Sequence, residues 1–136
     1  MKAVGSLIRI STFQVEELQK RLAVIVDKRS QCDLKMAVLE AEAEAELANA
    51  RADAEVGWYM IGFREGVKVR RKAIQDQIDS LAAEEEGARD ALNEAFEGLK
   101  KYEQVAENAA HAARKEMAKR ETAALDELGL RRVAGR

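Results

Sequence analysis

No proline occurs anywhere in the 136 residues, and aromatic side chains make up only 4% of them. The first absence leaves nothing to break a helix from within, and the second denies the chain the large rings that usually fill a compact centre. A single cysteine, Cys32, excludes an internal disulfide and gives no reason to assign an oxidising compartment. His111 is the only histidine, no metal-ligand spacing exists, and neither a phosphate loop nor a nucleotide fingerprint is present. The apolar patch Leu7 to Ile10 is interrupted by Arg9 and followed by no small-residue cleavage signal, and no run approaches the length of a membrane span. The expectation is a cytoplasmic protein that is not an enzyme and uses no cofactor or metal.

What is abundant points one way. Ala, Glu, Lys, Leu and Arg fill more than half of the chain, the composition of long helix and coiled coil. With 23 basic against 25 acidic residues the bulk charge favours no nucleic acid, but its distribution is uneven. Lys68, Arg70, Arg71 and Lys72 form a basic cluster, acidic belts run over Glu40 to Glu55 and Glu84 to Glu97, and Arg114 to Arg136 carries seven Lys or Arg against four acids.

Apolar positions alternate in steps of three and four along two arms, the narrow stripe of a coiled coil. The first arm reads Ile8, Ser11, Val15, Leu18, Leu22, Ile25, Arg29, Cys32, Met36, Leu39, Ala43, Leu47, Ala50 and Ala54. The second reads Phe63, Val67, Arg70, Ile74, Ile78, Leu81, Glu85, Ala88, Leu92, Ala95, Leu99, Tyr102, Ala106, Ala109, Ala113 and Met117. Between them Glu55 to Gly66 holds three of the eight glycines and the only tryptophan, which marks a bend. The fold expected is therefore all-α, a two-helix antiparallel coiled-coil hairpin.

Matching the arms about that bend pairs Leu22 with Leu99, Cys32 with Ala88, Leu39 with Leu81 and Leu47 with Ile74, residue numbers adding to 120 or 121. That register gives one domain over 1–136: a first arm at 7–57, a bend at 58–63, a second arm at 64–117 and a basic C-terminal overhang at 118–136. Gly129 is a position where the second helix could end, with Gly135 frayed beyond it.

Cys32 in the seam reads as a small buried apolar group, and His111 as an exposed helix residue. Glu40, Glu42, Glu44 and Glu46 point in diverging directions on a helix and read as a solvated face, not a cation site. Arg29 and Glu85 break the apolar seam; either they fix register, or their stems reach the rim with the charges in water. Trp58, Tyr59 and Phe63 either plug the end of the hairpin or form a docking patch. The overhang sets Met117, Leu125 and Leu128 on a helix flanked by Lys119, Arg120, Arg131 and Arg132. That pattern suits a partner's groove, an acidic-mouthed pore or an anionic membrane, against the plainer alternative of an end that folds back or frays.

Three stretches carry a family resemblance: RLAVIVDKRSQCDLKMAVLEAEAE from Arg21, RKAIQDQIDSL from Arg71, and KKYEQVAENAAHAARKEMAKRETAALDELGLRR from Lys100. They resemble the FliJ family of flagellar export proteins and its type III secretion counterparts, over nearly the whole chain. The resemblance implies a non-enzymatic coiled coil similar to the central stalk of rotary ATPases, its open end entering the ring of the export ATPase FliI and its body contacting the export gate FlhA. It further implies a general export chaperone meeting exported subunits or their chaperones. Such a protein would sit at the cytoplasmic face of the inner membrane, associated with the membrane only through the export apparatus, and would support filament assembly, motility and chemotaxis. The residues assigned to the ATPase ring are Met117, Lys119, Arg120, Leu125, Leu128, Arg131 and Arg132. The alternative is a coiled-coil peripheral membrane or structural adaptor protein outside flagellar export. Nucleic acid is not an expected partner, because the tail lacks the aromatic platforms on which single strands stack.

Overall fold

A computed structural model describes residues 2–52 and 54–135. Helix α1 covers Lys2–Ala52, a 3-10 segment covers Ala54–Tyr59, and helix α2 covers Met60–Ala134. The two helices pack against each other, and no strand occurs among the described residues. A chain rich in Ala, Leu, Glu and Lys, with no proline, offers the backbone no reason to leave the helix except near its glycines. Even those are absorbed in places. α2 runs through Gly129, the expected stopping point, and no described glycine takes a positive φ; the end is closed by the Gly135 amide donating to the Arg131 carbonyl at 2.9 Å. The expected bend at 58–63 coincides with the 3-10 segment only at 58 and 59, since Met60 to Phe63 already belong to α2. The expectation at Ala54 in the seam lies outside the described side chains, and Arg136 outside the described residues.

The chain divides into two compact units, Glu16–Asn93 and the pair of segments Met1–Val15 and Glu94–Arg136. In Glu16–Asn93 the most buried positions of α1 are Ile25, Cys32, Leu39 and Ala43, and those of α2 are Met60, Val67 and Ala88. Ile25, Cys32 and Leu39 stand seven residues apart, so a single line of the helix faces its partner. Leu22, Met36, Leu47, Ile74, Ile78, Leu81 and Leu92 are half-buried beside them. Among the described residues none of the large side chains is wholly enclosed, as expected where two helices share a seam and nothing covers its edges.

Every described residue expected in the seam of this unit is buried or half-buried with one exception, but the pairing across the seam differs from the expected one. Arg29 Nη1 donates to Glu85 Oε2 at 2.6 Å, and Arg71 donates twice to Glu40, at 2.5 and 3.1 Å. The numbers of Arg29 and Glu85 add to 114, and Cys32 lies in one groove with Gln77 and Leu81, not opposite Ala88. The arms are thus offset by one heptad from the register of 120 or 121, which moves the centre of the bend back by about half a heptad. A shift of seven keeps every seam position in the seam, so burial pattern alone cannot detect it. The exception is Arg70, which is exposed because the helix turns Arg71 toward α1 to meet Glu40.

In the other unit, Val4, Ser11 and Val15 are buried on α1, and Ala95, Leu99, Tyr102, Ala106 and Ala109 are half-buried on α2. Thr12 Oγ1 donates to the Ile8 carbonyl at 2.8 Å, a back-bond that satisfies its hydroxyl within the helix. Val4, Gly5 and Ile8 share a shallow groove with Ala106, Ala109, Ala110 and Ala113. Because the true register uses up α1 about one heptad earlier, Ala113 and Met117, expected in the seam, are exposed.

Candidate partner-binding surfaces

From Ala110 to Gly135 every residue is exposed, and yet the helix keeps the apolar repeat of the paired region. At 100° per residue, Ala110, Ala113, Met117, Ala124 and Leu128 fall within a narrow stripe. Met117 is 62% and Leu128 54% exposed, values far above those of the same stripe where α1 covers it. Leu125 lies roughly 80° around the helix from Met117 and widens the stripe on one side.

The charges expected around this stripe are not equivalent. Arg120 and Arg131 flank it, and each is drawn to an acid one turn back: Arg120 to Glu116 at 3.6 Å and Arg131 to Glu127 at 3.0 Å. Such exposed i,i+4 pairs are weak and yield readily to a stronger partner. Arg132 lies on the other flank. Lys119 projects from the opposite side of the helix, the face that farther along carries the exposed Leu130 and Val133, two apolar residues outside the expected stripe. Helical periodicity continued to Val133 sets all three on that second face. The arrangement can accept an apolar groove along one side with acidic groups at its edges.

At the bend the three aromatics separate in role. Tyr59 is half-buried, and its hydroxyl donates to Glu46 Oε2 at 3.0 Å across the hairpin. The neighbouring carboxylate and partial burial hold this phenol above its ordinary pKa, so it remains a donor. Phe63 is half-buried in the first turn of α2. Trp58 does not plug the end against Phe63. It is 84% exposed and meets Tyr59 edge-on, with ring centroids 5.9 Å apart at 80°. Ile61, 79% exposed, extends the bare patch onto α2.

The most constrained polar group is Glu85, whose side chain is 13% exposed and accepts from Arg29 at 2.6 Å and from Arg89 at 3.1 Å. The Arg29 hydrogen bond, helped by that of Arg89, holds its carboxyl below the usual glutamate range. Glu40 is likewise lowered by its bonds from Arg71. Cys32 is buried with Sγ 3.9 Å from Gln77 Oε1, and His111 is exposed, as expected for both. Among the described residues no cluster of His, Cys, Asp or Glu could hold a metal ion, and no helix is long and apolar enough to cross a membrane.

Comparison with known proteins adds one finding. Two curated proteins, both described as "Flagellar FliJ protein", from Caulobacter vibrioides strains NA1000 / CB15N and ATCC 19089 / CIP 103742 / CB 15, are each 55% identical to the chain over 133 residues. The alignment spans 98% of this chain and 96% of either relative. No family model matches, and no solved structure matches.

Proposed function

Because this chain belongs to the flagellar FliJ family, we propose that it is a non-enzymatic component of flagellar protein export, a coiled-coil stalk and general chaperone that engages the ring of the export ATPase FliI through its bare C-terminal helix. The observation that carries this reading is the continuation of the seam stripe past the end of its partner helix. An isolated helix gains nothing from Met117 and Leu128 on one face unless something else covers them. In the proposed complex Met117, Leu125 and Leu128 pack inside the ring. Arg120, Arg131 and Arg132 exchange their weak intrahelical partners, or water, for acidic groups on its wall, and Lys119 serves the opposite side. The hairpin body contacts the export gate FlhA, with Trp58 and Ile61 at the bend available to a second partner. Exported subunits and their chaperones are met along the same apparatus, at the cytoplasmic face of the inner membrane, in support of flagellum assembly, motility and chemotaxis.

Truncation after Glu116 tests the reading. It removes Met117, Leu125, Leu128 and the basic residues, and no buried side chain among the described residues. Helicity per residue should be retained while stimulation of the purified export ATPase is lost. Stimulation equal to that of the full chain would refute the assignment of the C-terminal helix.

A further inference from the structure

The seam of Glu16–Asn93 has a property that its buried residues alone do not reveal: it reads equally well in two alignments one heptad apart. In the observed alignment Cys32 shares a groove with Leu81, and counting outward from Arg29 and Glu85 sets Leu39 opposite Ile74 and Leu47 opposite Val67. Displaced by seven residues, the same line gives Cys32 opposite Ala88, Leu39 opposite Leu81, Ala43 opposite Ile78 and Leu47 opposite Ile74. Every one of these is again an apolar pair. At the edges of the seam the charges are redistributed: Lys35 moves beside Glu84 to Glu86, while the cluster Lys68 to Lys72 passes from beside Glu42 to Glu46 to beside Asn49 to Ala52. What the displaced alignment lacks is the Arg29–Glu85 contact, for Arg29 then faces Leu92 and Glu85 faces Met36.

We infer that this segment is a two-register coil in which the Arg29–Glu85–Arg89 cluster is the latch that selects one of two apolar-compatible alignments about 10 Å apart along the helix axis. A polar pair inside an apolar seam is the best-attested device for choosing among otherwise equivalent registers. The bend is built to follow such a slip. Gly62 and Gly66 lie in the first two turns of α2, where glycine weakens the helix, and a Cβ at either would meet nothing. Trp58 and Ile61 are already exposed, so in the turn that holds them only Tyr59 and Met60 give up burial on unwinding. Glu40–Arg71 and Tyr59–Glu46 are peripheral contacts made by long side chains, and they can be exchanged for others.

The experiment removes the latch without removing the seam. In Arg29→Leu/Glu85→Leu both substituted positions are apolar in either alignment, so the hairpin keeps its stability while the two registers become equivalent. Nitroxide labels at Ser30→Cys and Val69→Cys, both exposed, in a Cys32→Ala background report the slip as a distance. Roughly 15 residues separate Val69 from the point opposite Ser30 in the observed alignment, an axial offset of about 22 Å that becomes about 33 Å after the slip. With the latch intact the shorter distance dominates, and in the double-leucine chain a second distance about 10 Å longer appears in comparable amount. Only the short distance in the double-leucine chain overturns the inference, and so does the longer distance appearing equally with the latch intact. Independently, in the full chain with its native Cys32, an Ala88→Cys substitution gives an intramolecular disulfide on oxidation when both leucines are present, while Leu81→Cys gives one with the latch intact. Failure of the Ala88→Cys chain to cross-link where Leu81→Cys succeeds counts against a second register.

Discussion

Residues 25–43 of α1 and residues 117–128 of α2 carry nearly the same helical stripe, yet one is buried and the other bare. Leu39 is 6% exposed and Leu128 54%. Sequence pattern therefore specifies where apolar side chains will stand on a helix, and the length of the partner helix decides whether they are covered. The contrast predicts opposite mutational behaviour. Leu39→Ala should destabilise the chain by about 2 to 3 kcal/mol, the low end for a buried leucine because the seam is open at its edges. Leu128→Ala should stay within about 0.5 kcal/mol of wild type, since it removes no internal contact, while under the proposed function it weakens engagement of the ATPase roughly tenfold. Urea denaturation followed by circular dichroism, beside an ATPase stimulation titration, reads both. Equal stability losses at 39 and 128 would mean that the C-terminal stripe is covered within the chain.

The ion pairs divide along the same line. Glu85 is largely enclosed between Arg29 and Arg89, whereas Glu116 and Glu127 bond to arginines in open solvent. Arg29 and Arg89 depress the folded-state pKa of Glu85, so its contribution is complete above the unfolded value of about 4.3 and is lost as pH falls through the lower folded value. Glu85→Gln should accordingly unfold at lower urea than wild type at neutral pH, and the gap should close only below about pH 4. The matching change Glu116→Gln should leave the denaturation midpoint at neutral pH unchanged, as exposed helix pairs contribute little. A gap for Glu85→Gln that widened on acidification would contradict the arrangement of charges around it.

How far the fold could be read in advance follows from the same physics. Cys32, Leu39, Ala43, Val67 and Ala88 were placed in the seam by spacing alone, because a helix buries whatever its period puts on one line. The pairing was misjudged by a heptad, because apolar matches are indifferent to a shift of seven. The two charges that break the pattern held the missing information. Requiring Arg29 to meet Glu85 would have set the register at 114, drawn the bend toward Ala54–Tyr59 and bared Ala113 and Met117. At the candidate surfaces, Leu125 and Leu128 were legible as an unpartnered stripe, Met117 stood both at the end of the expected seam and at the start of that stripe, and Trp58 was legible as one of three aromatics. Which aromatic stayed exposed was not legible, since Tyr59 is held by a hydrogen bond to Glu46, a residue thirteen positions away. Leu130 and Val133 lie on the face of the helix opposite the stripe, so the seam repeat does not pick them out.

The finest test of the contrast lies at Gly129, inside α2 with open space where a Cβ would be added and no positive φ to preserve. Alanine there should favour the helix by up to about 1 kcal/mol locally, the ordinary difference between the two residues in an exposed helix interior. In the paired region such a gain would register in global unfolding. Here it should not, because residues near 129 fray without disturbing any buried contact, so the urea midpoint stays fixed while amide exchange over residues 125–133 slows by up to roughly fivefold. If Gly129→Ala instead raised the midpoint, the bare end and the seam would be unfolding as one cooperative body. The C-terminal helix would then have to be treated as part of the fold and not as a segment held in reserve for a partner.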